Sequence, residues 1–288
     1  MKTFAKGLAF PEGPIALADG SVLVVEVRGE TLTRCLPDGS RTVVAELGGG
    51  PNGAAIGKDG CCYICNNGGF SWAPHGGIIR PSGVPDSYTG GWIEKVNLGT
   101  GEITRLYEGF GDERLRGPND IVVDAHGNLW FTDMGKRRPR SVDLGSVCFA
   151  KPDGSMIREV ISPLLTPNGI SLSPDGKTLY VVETDAARIW AWDIESPGEL
   201  GRQPFPSPHG GRMLMHRPST QIRLDDCGSQ RQPLHRELHG GRHLRNLAPR
   251  RTDRVCQDCT GLVRNQHLLW RFGHEEGIHH PLGARANT

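Results

Sequence analysis

An all-β fold of antiparallel sheets repeated around a centre, a β-propeller, is what this 288-residue sequence predicts, and three observations carry it. A Pro-Glu/Asn-Gly/Asp motif recurs as Pro11-Glu12-Gly13, Pro51-Asn52-Gly53, Pro118-Asn119-Asp120 and Pro167-Asn168-Gly169. An Asp-Gly or His-Gly turn and a β-rich run follow each copy: Val22 to Val27, Cys61 to Cys65, Leu129 to Thr132 and Leu179 to Glu183. The steps from Glu12 to Asn52, to Asn119 and to Asn168 are 40, 67 and 49 residues, the period of a repeat architecture.

In the first unit, the apolar run Val22-Leu23-Val24-Val25 is followed by Leu32-Thr33-Arg34-Cys35-Leu36 and the turn Pro37-Asp38-Gly39. Asp-Gly between strands is tight-turn chemistry, so the unit reads as four short antiparallel strands. The second unit is interrupted by Gly68 to Gly91, rich in Gly and Pro and holding Trp72, Pro74, His75 and Pro85, which reads as an elaborated loop over one face. The third repeats the pattern at Val147-Cys148-Phe149-Ala150-Lys151-Pro152-Asp153-Gly154. The fourth starts at Pro167, and its second run reaches Glu183. Radial packing covers both faces of such sheets and leaves few exposed edges.

Composition splits the chain. Residues 1–200 hold 19 Lys+Arg against 25 Asp+Glu, and residues 201–288 hold 14 against 7, so the formal charges are 19 − 25 = −6 and 14 − 7 = +7. Val plus Ile falls from 28 to 4 across the same point, while His rises from 2 to 9. Strands need β-branched and aromatic residues, so the expected division is 1–212 as propeller blades and 213–288 as an Arg/His-rich tail in place of the last blades. No signal peptide or run of about 20 apolar residues is visible. The eight cysteines show no framework spacing, which favours reduced thiols. A cytoplasmic protein with no membrane or nucleic-acid partner is expected.

Equivalent loops of successive blades point at one central channel, so remote residues converge there. Glu12, Asn119 and Asn168 occupy one slot of the repeat with different side chains, which a turn alone does not require. One carboxylate and two or three amide oxygens form a hard-oxygen set suited to Ca²⁺, with Zn²⁺, Mn²⁺ or Mg²⁺ as alternatives. Such a cation polarises a carbonyl or lowers the pKa of bound water, the chemistry of lactone or ester hydrolysis.

Phe10-Pro11-Glu12-Gly13-Pro14, Gly117-Pro118-Asn119-Asp120 with Gly127-Asn128-Leu129-Trp130-Phe131-Thr132-Asp133, and Thr166-Pro167-Asn168-Gly169-Ile170 with Ser173-Pro174-Asp175-Gly176 together resemble the gluconolactonase, senescence-marker-protein and luciferin-regenerating-enzyme family over residues 8–212. The resemblance implies a six-bladed propeller, about four blades of which are legible here, that uses a channel metal to hydrolyse sugar lactones to aldonic acids. It implies Glu12 and Asn168 as metal ligands and Asn119 beside the metal, also meeting substrate. Trp72 and His75 are candidates for shaping a sugar pocket. Asp133 stands at a blade end near the channel and reads equally well as a strand-end turn residue.

The sequence departs from the family at the fifth blade. The Asp that completes the metal site is missing from Gln221-Ile222-Arg223-Leu224-Asp225-Asp226-Cys227-Gly228, and its role is not carried onto Asp225 or Asp226. The general base is therefore unassigned. Read one base forward, the codons of Ile222 to Gly228 permit Phe-Asp-Ser-Met-Thr-Val-Asp, and those of Arg264 to Phe272 permit Val-Thr-Asn-Ile-Cys-Phe-Gly-Gly. Both strings resemble the expected blades in a single frame, which points to a frame change near residues 205–216. A rival for the tail is a Cys₂His₂ zinc site from Cys256, Cys259, His274 and His279 or His280. For the chain as a whole, the rivals to a lactonase are a metal-binding regulatory module without turnover and an inactive product of the shifted frame.

Overall fold

The computed structural model describes residues 2–204, 207, 209–216, 271–273 and 277–280, with side chains through 216. Strand β1 (Lys2–Lys6) precedes a four-stranded antiparallel sheet of β2 (Pro11–Ala16), β3 (Val22–Glu26), β4 (Thr31–Cys35) and β5 (Arg41–Glu46). The second sheet starts with β6 (Pro51–Ile56) and β7 (Cys62–Asn66). After an inserted hairpin of β8 (Ser71–His75) and β9 (Ile78–Gly83), it is completed by β10 (Trp92–Val96) and β11 (Ile103–Tyr107). A small hairpin, β12 (Gly109–Phe110) with β13 (Glu113–Arg114), leads to the third sheet. That sheet comprises β14 (Pro118–Val123), β15 (Leu129–Asp133), β18 (Gly145–Ala150) and β19 (Ile157–Leu164), with the short pair β16 (Arg137–Arg138) and β17 (Ser141–Val142) inserted.

The fourth sheet holds β20 (Pro167–Leu172), β21 (Thr178–Glu183) and β22 (Arg188–Ser196), with β23 (Glu199–Leu200) and β24 (Arg212–His216) both on β22. Beyond it, β25 (Arg271–Gly273) and β26 (Gly277–His280) form a three-stranded sheet with β1, in which Lys2 pairs with His280 and Lys6 with Gly277. The two ends of the chain thus share a sheet, which composition alone did not suggest. Strand β24 crosses the composition break at 212/213. The described residues contain no helix, so none is long and apolar enough to cross a membrane.

The apolar runs are continuous because the second strand of each sheet is buried on both faces. Alternate residues of a strand point to opposite faces, and in β3 Val22 and Val24 pack with Ala5 and Leu8 while Leu23 and Val25 pack with Cys62 and Ile64 of the second sheet. In β7 the other face presents Tyr63 and Cys65 to Leu129, Phe131 and Cys148 of the third sheet. Trp130 and Phe149 face Leu179, Val181, Trp190 and Trp192 of the fourth, and Trp130 meets Phe149 edge-on with ring centroids 4.8 Å apart. The sheets are therefore stacked face to face like blades. Their fourth strands, such as Arg41–Glu46, are mostly exposed.

The Asp-Gly turns form as expected. Asp19, Asp38 and Asp153 each accept, on Oδ1, both the backbone N–H and the hydroxyl of the serine two residues on, the hydroxyl bond being 2.6 Å in each case. This is the Asx geometry that makes Asp a turn initiator. The insertion Gly68 to Gly91 is the β8–β9 hairpin with its flanks, as the loop reading anticipated.

Candidate functional site

The four Pro-Glu/Asn motifs do not lie in loops ahead of their strands. They open β2, β6, β14 and β20, the first strand of each sheet. Proline suits a strand's first residue because it has no N–H to give the ladder. In each sheet that proline pairs with the last residue of the second strand, which is polar: Pro11 with Glu26, Pro51 with Asn66, Pro118 with Asp133 and Pro167 with Glu183. The register then slips, between Glu12 and Ile15, Pro51 and Gly53, Pro118 and Ile121, and Pro167 and Ile170. A bulge bends its strand and re-aims a side chain, and Glu12, Asn52, Asn119 and Asn168 all stand at one.

First strands of successive sheets lie side by side in chain order. A Cβ added to Gly13 would stand 2.9 Å from the Ala54 nitrogen and 3.0 Å from the Asn52 carbonyl oxygen. One added to Gly53 would stand 2.5 Å from the Asn119 carbonyl oxygen and 2.6 Å from the Asp120 Cα. The third loop is tied to the fourth by hydrogen bonds: the Thr132 hydroxyl donates to the Asn168 carbonyl at 2.6 Å, and the Ile170 N–H donates to Asp120 Oδ2 at 3.1 Å. The row thus runs from Glu12 through Asn52 and Asn119 to Asn168. Gly13 and Gly53 are required by close backbone approach, so Gly53→Ala is expected to destabilise the protein by about 1–3 kcal/mol, read as a lowered midpoint of thermal unfolding.

Within the row, Glu12 and Asn168 are half-buried and Asn119 is buried, its Nδ2 3.6 Å from the Met134 sulfur. Phe10 and Thr166, the residues just before Pro11 and Pro167, have φ of 57° and 48°. Non-glycine residues in this region are strained, more so before proline, and such strain gathers at functional sites. Two of the four described non-glycine residues with positive φ thus precede the motifs of Glu12 and Asn168; the other two, Glu30 and Ala187, lie in the β3–β4 and β21–β22 turns of the same sheets. Among the described residues no cluster of three or more His, Cys, Asp or Glu side chains could hold a metal. The side chains the row does present are one carboxylate and three amides, the oxygen chemistry a hard cation with part of its water shell takes. Asp225, Asp226 and the side chains of the Cys/His set lie outside the described residues.

In a second set of residues only Asp133 was singled out from the sequence, as a blade-end or strand-end turn residue; Glu26, Asn66 and Glu183 were missed. Glu26 Oε2 accepts the Ala9 N–H at 2.5 Å, Asn66 Oδ1 the Gly50 N–H at 2.8 Å, and Glu183 Oε1 the Leu165 N–H at 2.6 Å. Asp133 accepts three, from Arg116 at 2.7 Å, Gly117 at 2.6 Å and Gly135 at 3.0 Å. Each clamps the segment leading into its motif. Burial pushes the Asp133 carboxyl above its ordinary pKa, against the pull of these amides. Asp133 is thus a buried clamp. A usable signal was present: the clamp follows its proline by 15, 15, 15 and 16 residues.

Trp72, on the inserted hairpin, packs edge-on against Phe10 at 5.0 Å, which sets that hairpin beside the Glu12 loop. His75 is exposed at the end of β8.

The family description SMP-30/Gluconolactonase/LRE-like region matches residues 10–208. A lactonase drp35 of Staphylococcus saprophyticus is 32% identical over 182 residues, covering 62% of this chain and 49% of that protein. A gluconolactonase of Zymomonas mobilis is 22% identical, with 69% and 56% covered. The chain spans about half the length of these curated relatives. Among solved structures, a gluconolactonase from Xanthomonas campestris superposes with a TM-score of 0.56 at 24% identity, over 75% of this chain and 66% of that one. A calcium-binding protein, regucalcin, from Agrobacterium tumefaciens gives 0.51 at 21%, over 68% and 58%. These likenesses bear on the fold. With the blades, the motif row and a family match over more than half its length, the chain belongs to the SMP-30/gluconolactonase/LRE-like family.

Proposed function

We propose that this chain is built as a metal-dependent lactonase that opens a sugar lactone to its aldonic acid. The observation that carries the reading is the row of four bulged motifs, first strands side by side, with a carboxylate at Glu12 and amides at Asn119 and Asn168. The names of the lactonase and gluconolactonase relatives support the reaction class. Glu12 and Asn168 would hold the cation, Ca²⁺ first and Zn²⁺, Mn²⁺ or Mg²⁺ as alternatives, and the likeness in fold to a calcium-binding regucalcin favours calcium. When bound, the cation supplies Lewis-acid polarisation of the lactone carbonyl and a more acidic water.

Asn119 is buried against Met134, which fixes its amide as a positioning group for a substrate hydroxyl or ring oxygen. Trp72 and Phe10 wall the Glu12 side with aromatic surface of the kind that packs on a sugar ring. The general base is unassigned among the described residues. The test is hydrolysis of glucono-lactone by the chelator-treated full chain, with Ca²⁺, Zn²⁺ or Mn²⁺ restored one at a time. Metal-dependent turnover supports the lactonase. Tight metal binding without turnover would instead identify a binding module.

The tail belongs to the same proposal. The family match ends at residue 208, within a few residues of the compositional break and of the frame change that the codons permit. We read residues beyond about 212 as the product of a shifted frame, so that the chain carries the ligand row without the fifth-blade carboxylate. Sequencing the coding DNA over codons 200–230 in independent clones is expected to reveal a single-base insertion or deletion. An intact frame in every clone would end this reading.

A further inference from the structure

Lys136 follows β15 and is only 2% exposed. Lysine is almost never buried so deeply without a carboxylate partner. Among the described residues its ammonium has only neutral acceptors, Asn67 Oδ1 at 3.0 Å and the Gly69 carbonyl at 2.7 Å, with the rings of Phe70 and Tyr88 at 4.0 and 5.0 Å from Nζ. Two of its three N–H donors are used. Asn67 is 1% exposed, and its Nδ2 is buried with no hydrogen-bond partner among the described residues.

The amide orientation is not open to exchange. Oδ1 accepts from both Lys136 Nζ and the Gly69 N–H at 2.9 Å, so a flipped amide would set NH₂ against two donors. Amide bond lengths then place Nδ2 within roughly 5 Å of the ammonium. A buried cation lacking an ion pair thus lies beside a buried amide lacking an acceptor. The flanking rings and the Asp133 and Asp143 carboxylates, neither of the latter hydrogen-bonded to Nζ, offset part of the charge; a water would satisfy Nδ2 yet bring no charge to the third donor of the ammonium. One acceptor carrying negative charge answers both.

We propose that Lys136 and Asn67 form an anion-binding site at the root of the β8–β9 insertion, taking one small monovalent anion, a carboxylate or a halide. The site is separate from the Glu12–Asn168 row and does not depend on the lactonase reading. It ties the second blade's insertion, through Asn67, Gly69, Phe70 and Tyr88, to the third blade. Burial lowers the Lys136 pKa to about 7; the Asp133 and Asp143 carboxylates oppose that shift and the Arg138 guanidinium adds to it. The ammonium is lost as pH rises through this value, so anion affinity falls in the same direction.

The test is thermal unfolding of the full chain at constant ionic strength, with sodium sulfate exchanged for sodium formate or sodium chloride. A saturable rise in Tm of roughly 5 °C is expected near an anion concentration of about thirty times Kd, larger at about pH 6 than at about pH 8.5. Response to formate alone assigns a carboxylate site, and response to chloride a halide site. Asn67→Asp places a carboxylate beside Lys136 and is expected to abolish the response while keeping the sulfate Tm at or above that of the wild type. Lys136→Met is expected to abolish it too. If that variant does not fold, the aspartate variant and the pH pair decide. No saturable rise in the wild type, or an equal rise in Asn67→Asp, would overturn the proposal and mean that water alone satisfies the amide.

Discussion

On the proposed reading, replacing Glu12 by Gln is expected to lower kcat/KM for metal-dependent lactone hydrolysis by at least about 10²-fold, the size of loss seen when one transition-state electrostatic contact is removed. Glu12 is the only carboxylate among the four side chains at the bulge positions, the others being Asn52, Asn119 and Asn168. An amide preserves its shape and one oxygen while removing the negative charge, so a hard cation loses its strongest donor. Glu12 is half-buried on β2, so any change in folding stability has to be measured beside the loss of metal. Isothermal titration with Ca²⁺ and an unfolding curve on the same sample separate the cases. Unchanged metal affinity with unchanged turnover would remove Glu12 from the site.

The second large effect falls on Asp133. Changing it to Ala leaves three N–H groups, those of Arg116, Gly117 and Gly135, without the acceptor they now share. Unmet buried donors cost about 1–3 kcal/mol each before relaxation. A net loss of about 3–5 kcal/mol is expected, which lowers Tm by roughly 10 °C or more in a protein of this size. Asp133→Asn keeps one oxygen and is expected to lose about half as much. The clamp fixes the segment entering Pro118-Asn119, so the alanine variant should also lose ordered presentation of Asn119. A wild-type Tm in Asp133→Ala would show that water replaces the carboxylate and that the clamp is dispensable.

The all-β class was legible because the determining contacts are local. Val22 to Val25 reads as a strand from its β-branched residues, and Asp19, Asp38 and Asp153 read as turns because the partner serine lies two residues away. The expected second-strand runs start and end within about one residue of the observed strands. The motif residues were legible as a repeat and misplaced as loops. A bulge is a property of pairing with another strand, and nothing within Pro-Asn-Gly reveals that Pro51 will pair with Asn66.

The clamps' spacing from their prolines was legible, but what they hold, and the burial of the lysine, were not, for the same reason. Glu26, Asp133 and Glu183 look like ordinary strand-end acids until folding removes them from water beside unmet amides. Lys136 sits in Gly135-Lys136-Arg137-Arg138-Pro139-Arg140, which reads as an exposed basic run. Only the fold carries its side chain to Asn67 and Gly69, across a separation of 67 to 69 residues.

By itself the sequence determined which residues alternate into strands, where the chain turns, and which four short motifs share one slot in a repeat, because each of these is decided by neighbours within a few residues. Tertiary structure alone decided that the motifs open strands side by side, that buried acids hold their entry segments, and that a lysine is enclosed with only neutral acceptors on its ammonium. Those outcomes depend on which strands pair and which faces stack, and pairing across tens of residues is set by burial of the whole set of blades at once.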